Sequence, residues 1–131
     1  QDYPAQIQIQ RQVTAMAQLM QRCDLAISAG GSTLYELCAA GVPRLAVVLA
    51  SNQQGIVDAM VRQGVALSLG TAVELTASGV AEAVGRLVQD WSERDRMAHQ
   101  GRKLVDGQGA WRVARKMEEV VAAAEGGKAS E

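Results

Sequence analysis

The chain has no phenylalanine, and its aromatic residues are two tryptophans and two tyrosines. A core must therefore be filled by Ala, Val, Leu, Ile and Met, and a stacking platform for single-stranded nucleic acid lacks its aromatic faces. Two cysteines, Cys23 and Cys38, make no disulfide framework and have no metal-ligand spacing. Both are expected to act as small buried hydrophobes. Thirteen basic against fourteen acidic residues leave a net charge of -1. No basic excess points to nucleic acid, and no charge block points to a tail-binding partner. No apolar run reaches the length of a membrane span and no signal peptide is visible, so the expected compartment is the cytoplasm. The only histidine, His99, stands among Arg94, Arg96, Gln100 and Arg102 and reads as a solvated helix face rather than a general base. The sequence shows no nucleophile–base pair, paired carboxylates or metal cluster. No catalytic residue is assigned, and no metal or cofactor is expected.

What is present is ordinary globular composition, 48% hydrophobic and 21% charged over 131 residues, enough for one domain with a real core. Ile7 and Ile9 alternate with glutamines, which predicts a short half-buried strand after a lead-in at Gln1–Pro4. Helical spacing predicts a helix over 14–21, and three continuous apolar runs predict buried strands at Leu25–Ala29, Leu45–Ala50 and Val65–Leu69. A helix carrying Ile56, Val57, Met60 and Val61 separates the last two and ends before Gly64. Beyond Gly70 the pattern is wholly helical. Val80, Val84, Leu87, Val88 and Trp91 form one stripe, Ser92 caps a second helix, and Val113, Met117, Val120, Val121 and Ala124 mark a third. Trp91 and Trp111 are expected to anchor this helical layer. Residues 1–125 read as one domain and 126–131 as a frayed tail. Strands alternating with helices, each strand apolar throughout, predict an α/β fold: a parallel sheet covered by helices on both faces, followed by a helical C-terminal region.

The stretch from Asp24 to Pro43 organises the rest. It runs strand, Gly30-Gly31, Ser32-Thr33, short helix, Gly41, Pro43. Paired glycines allow a sharp turn and close approach of a ligand. The helix opening at Ser32-Thr33 turns free N–H groups and a positive dipole end toward that turn, a geometry suited to phosphate. Gly41 fits a C-cap, and Pro43 keeps the helix from resuming. A purely structural alternative is a capping box, Thr33-x-x-Glu36, in which Glu36 bonds the N–H of the cap residue. Ser51-Asn52 opens the next helix on the same sheet rim, the carboxyl ends of the strands, where ligands of such sheets sit.

The ordered set Ala29-Gly30-Gly31-Ser32-Thr33-Leu34-Tyr35-Glu36-Leu37-Cys38, Gly41-Val42-Pro43 and Leu49-Ala50-Ser51-Asn52-Gln53 resembles the C-terminal domain of GT-B-fold nucleotide-sugar enzymes. It is most similar to the UDP-sugar hydrolase of the pseudaminic-acid pathway, and more distantly to the peptidoglycan N-acetylglucosaminyl transferase. The similarity spans about Met16 to Gly70 and returns at Val105–Ala110 with Arg112-Val113. It implies a Rossmann-like domain that binds UDP or a UDP-sugar. Gly30, Gly31, Ser32 and Thr33 would hold the diphosphate, Glu36 the ribose hydroxyls, and Asn52 and Gln53 the sugar. Asn52 has a competing use as a helix N-cap, whereas Gln53 has no evident local duty. The resemblance also implies an upstream strand–loop–helix unit and an N-terminal domain carrying the catalytic base, neither of which this sequence contains. The expected protein is thus a truncated GT-B C-terminal half of a UDP-sugar hydrolase, inactive alone. A GT-B glycosyltransferase and a non-catalytic Rossmann-like binding module are the alternatives. A dinucleotide dehydrogenase is disfavoured, because Gly30-Gly31-Ser32 does not extend to Gly-x-Gly-x-x-Gly. An apolar sheet edge left open by the missing unit predicts edge-to-edge homodimers.

Overall fold

A computed structural model describes residues 6–128. The elements run α1 (Met16–Gln21), β1 (Ala26–Ala29), α2 (Thr33–Ala40), β2 (Arg44–Val48), a 3-10 turn (Ser51–Gln53), α3 (Gln54–Arg62), β3 (Leu67–Thr71), α4 (Ala77–Gln89), α5 (Trp91–Leu104) and α6 (Gly109–Lys128). The strands form one parallel sheet in the order β1-β2-β3. Every residue of β2 is buried, as a central strand covered on both faces requires.

The strand's alternation sorts the core into two halves. Ala46 and Val48 face Leu34, Cys38, Val57 and Met60 of α2 and α3. Leu45 faces Leu87 of α4 and Met97 of α5 on the opposite side. The expected α/β sheet with helices on both faces is therefore present, with a helical C-terminal region after it. A smaller cluster of Met20, Leu37 and Val42 seats α1 against α2.

Helix α2 has the bounds its punctuation dictates. At its end Gly41 adopts φ 71°, and the N–H groups of Gly41 and Val42 return to the carbonyls of Cys38 and Leu37. The Arg102 guanidinium lies where a Gly41 side chain would begin and would have to swing aside, so the positive φ is what calls for glycine there.

Several expectations fail, each for a physical reason. No strand forms at Ile7 and Ile9, which are 87% and 79% exposed and join no strand of the sheet. The lead-in at Gln1–Pro4 lies outside the described residues. Strand β3 starts and ends two residues later than its apolar run, because a register irregularity opposite Ala46–Val48 takes Gly70, at φ 80°, into the strand. The cap of α5 is Asp90, whose carboxylate accepts the Glu93 N–H at 2.9 Å, rather than Ser92. Trp91 and Trp111 are 66% and 70% exposed, so neither is buried in the helical layer. Cys38 is buried, but Cys23 is exposed. Helix α6 continues to Lys128 through the expected start of the tail, and none of its residues is buried.

Candidate functional site

The carboxyl rim of the sheet collects the residues singled out by the sequence. Strand β1 ends at Ala29, and the Gly30 N–H donates to the Val47 carbonyl at 2.9 Å, which pins the Gly-Gly turn to β2. Neither Gly30 nor Gly31 has a positive φ, so turn strain does not explain them. Space explains Gly30: a Cβ there would stand 2.5 Å from Val57 Cγ2 and 3.2 Å from Gln53 Cβ. Gly31 is different. A Cβ there would meet only Gln53 Nε2, at an ordinary 3.6 Å. The fold itself does not demand glycine at 31, and the open space lies on the rim.

The first turn of α2 is uncapped. Ser32 holds the cap position in helical geometry, and its hydroxyl makes no capping bond. Among the described residues the N–H groups of Gly31, Ser32 and Thr33 have no backbone acceptor, while Leu34, Tyr35 and Glu36 donate back to Gly31 and Ser32. The Thr33–Glu36 capping box does not form, so the exposed Glu36 carboxylate is free of that duty. Three bare N–H groups at a positive dipole end, with two free hydroxyls and a free carboxylate one turn on, form an acceptor-seeking surface with one acidic group beside it.

The second loop reverses the expectation for its two amides. Asn52 caps nothing and is exposed with no side-chain partner among the described residues. Gln53 is tethered: its Oε1 accepts the Leu49 N–H at 3.0 Å, and its side chain packs against Gly30 and Gly31. Gln54 turns away and donates to Asp58 at 2.8 Å. Gly30, Gly31 and Gln53 are thus in mutual contact, Ser32, Thr33 and Glu36 follow on α2, and Asn52 stands at the opening.

Sequence reasoning missed the third segment of this rim. Thr71, Ala72 and Val73 line a depression of about 380 Å³ with Val48, Leu49, Ala50, Ser51 and Gln54. Glu74 closes that turn by accepting from the Thr71 hydroxyl at 2.7 Å and the Thr71 N–H at 3.0 Å, and these bonds hold its carboxyl below the usual range. The available signal was Gly70 followed by polar Thr71, read as the end of a strand rather than a bend within one. His99 lies away from the rim, with its ring Nδ1 2.9 Å from the Asp95 carbonyl and 65% of its side chain exposed.

A further groove of about 480 Å³ lies between α2, α3 and the corner joining α5 to α6, lined by Tyr35, Met60, Gln63, Val105 and Arg112 among others. Its corner is held by the Asp106–Arg112 ion pair and by the Gln108 N–H donating to Asp106. These bonds bring the Asp106 carboxyl down to about 2.

A doubly covered parallel sheet with a bare helix N-terminus and unpartnered polar side chains on its carboxyl rim defines a Rossmann-like domain with an open rim site. Residues 1–109 match the glycosyltransferase family 28 C-terminal domain, and the chain belongs to that family. It is also 35% identical over 102 residues to the spore coat polysaccharide biosynthesis protein SpsG of Bacillus subtilis (strain 168). That alignment covers 78% of this chain and 30% of SpsG. No helix among the described residues is long and apolar enough to cross a membrane.

Proposed function

We propose that this chain is the donor-binding domain of a GT-B glycosyltransferase-like protein of glycan biosynthesis, and that the donor is a UDP-sugar. The observation that carries the reading is the uncapped first turn of α2, whose N–H groups, hydroxyls and Glu36 carboxylate have no partner among the described residues. Backbone N–H groups of residues 31–33 and the hydroxyls of Ser32 and Thr33 hold the diphosphate. Hydrogen bonds to such a charged acceptor contribute about 1.5–3 kcal/mol each. Glu36 accepts the two ribose hydroxyls side by side, and the turn at Ser51–Gln53 faces the sugar. Family membership supports a nucleotide-sugar donor, and the kinship with a polysaccharide biosynthesis protein supports a role in making glycan. The acceptor and the groups that act on the anomeric carbon come from the rest of the parent protein, since the chain matches under a third of SpsG.

Transfer is the first reading. Hydrolysis of the same donor is the second, favoured by the resemblance of Leu49-Ala50-Ser51-Asn52-Gln53 to the UDP-sugar hydrolase. Calorimetric titration with UDP and ADP tests the site. UDP is expected to bind more tightly, and Glu36→Ala to weaken it roughly tenfold. Equal binding of both nucleotides, or no effect of the substitution, overturns the ribose assignment. Strand β1 has no second neighbour among the described residues, and its Ile27 is half exposed. We place the edge-to-edge homodimer there. Light scattering that shows a monomer at high protein concentration would remove it.

A further inference from the structure

Gln53 carries an inference about how the site divides its work, and it rests on the donor-site reading above. The Leu49 main-chain N–H can only donate, so the atom of the Gln53 amide that faces it, at 3.0 Å, must be the oxygen. That bond fixes which way the amide is turned. Its nitrogen points away from Leu49 and lies 3.6 Å from where a Gly31 side chain would begin, and Nε2 has no acceptor among the described residues. The amide therefore turns its two free N–H donors to the Gly31 side of the rim while its oxygen is engaged by Leu49.

We infer that Gln53 binds the diphosphate rather than the sugar. The free NH2 group needs an acceptor, and its position decides which one it meets. The space next to Nε2 is the one bounded by the bare N–H groups of Gly31, Ser32 and Thr33, where an anion is drawn by the helix end. The 30–33 and 51–54 turns themselves hold no lysine or arginine, so the donors they bring are neutral. Gly31 then has a reason to be glycine: a side chain would fill the gap between Nε2 and the turn. The unpartnered Asn52, able to present either end of its amide, is left to read the sugar.

The test uses the 131-residue chain labelled with nitrogen-15. The side-chain NH2 resonances of Gln53 are identified by their loss in Gln53→Glu, a variant that keeps an oxygen facing the Leu49 N–H. UDP and inorganic pyrophosphate are each expected to shift the Gln53 NH2 pair together with the Gly31 and Ser32 amides, while uridine leaves the pair in place. Gln53→Glu is expected to weaken UDP roughly tenfold or more by setting a carboxylate against the phosphates, with the melting temperature unchanged. Asn52→Ala is expected to leave UDP affinity as it is. If UDP shifts Gly31 and Ser32 but leaves the Gln53 pair unmoved, or binds Gln53→Glu as tightly as the native chain, this inference falls alone. If UDP moves neither the turn nor Gln53, the nucleotide site falls and takes the inference with it.

Discussion

The two ends of the sheet treat polar groups in opposite ways. At the amino end, Arg44 opens β2 completely buried, and its guanidinium is held by the Val42 carbonyl at 2.7 Å, the Val65 carbonyl at 2.6 Å and Cys38 Sγ at 2.9 Å. Its main-chain N–H meets Met97 Sδ at 3.2 Å, and a side chain on Gly101 would come within 2.8 Å of Nη1. Only Nη2 lacks a partner. Arg44 thus ties together the starts of β2 and β3, the end of α2 and the flank of α5. At the carboxyl end, the side chains of Ser32, Thr33, Glu36 and Asn52 make no bond among the described residues. A fold that can satisfy buried polar groups so closely at one end leaves them open at the other because water or a ligand meets them there.

The amino end should give the largest effect on stability. Arg44→Ala removes the donor from two buried carbonyls and leaves a cavity, and is expected to lower unfolding free energy by about 3 kcal/mol or more. Burial depresses the Arg44 pKa, the Cys38 thiol opposing this in part, so no strong counter-charge stabilises the guanidinium. Arg44→Met should consequently cost less, because it retains the stem and removes the buried charge. Urea unfolding of both variants checks the order. A loss under about 1 kcal/mol for Arg44→Ala would mean that this end holds nothing together.

At the carboxyl end the comparison sharpens to adjacent glycines. Gly30→Ala drives a Cβ into Val57 and is expected to cost roughly 1–3 kcal/mol of stability. Gly31→Ala meets no such contact and should stay within about 0.5 kcal/mol of the native chain while losing UDP affinity. Thermal melts beside calorimetry separate the two. Normal UDP binding by Gly31→Ala, or equal melting of the two variants, would remove the distinction between the two glycines.

How much of this was legible follows from where each determinant lies. Helix α2 was readable to the residue because its signals are local: Gly-Gly-Ser before it, Gly-Val-Pro after it. Arg44 was not. Its burial depends on a carbonyl 21 residues away and on a helix that begins at Trp91, and no local pattern announces a charged residue as the start of a buried strand. The local duties of Asn52 and Gln53 are exchanged for a similar reason. Asn is a common cap, but the 3-10 turn places Gln53, not Asn52, under the Leu49 N–H. The Val65-Ala66 run looked like strand because both residues are buried, yet the ladder begins at Leu67. Trp91 and Trp111 show the converse: large apolar residues at helical spacing say which face is apolar, not whether anything covers it.

The α5–α6 corner supplies an intermediate case, a polar group fully engaged but standing in water, and the smallest expected effect. Asp106 is bonded by Arg112 and by the Gln108 N–H, and these bonds bring its carboxyl from an ordinary 3.8 to about 2. A carboxyl whose folded pKa is depressed contributes stability above its unfolded value and loses that contribution as pH falls through the folded value. The Asp106 contribution is therefore complete above about pH 4 and gone below about pH 2. Comparing Asp106→Asn with the native chain by urea unfolding should show a small gap, constant from neutral pH down to about 4 and closing near 2. Salt should shrink it, because an exposed ion pair is screened where the buried guanidinium of Arg44 is not. A gap that persists at pH 2, or that ignores salt, would place the role of Asp106 in the shape of its turn rather than in its charge.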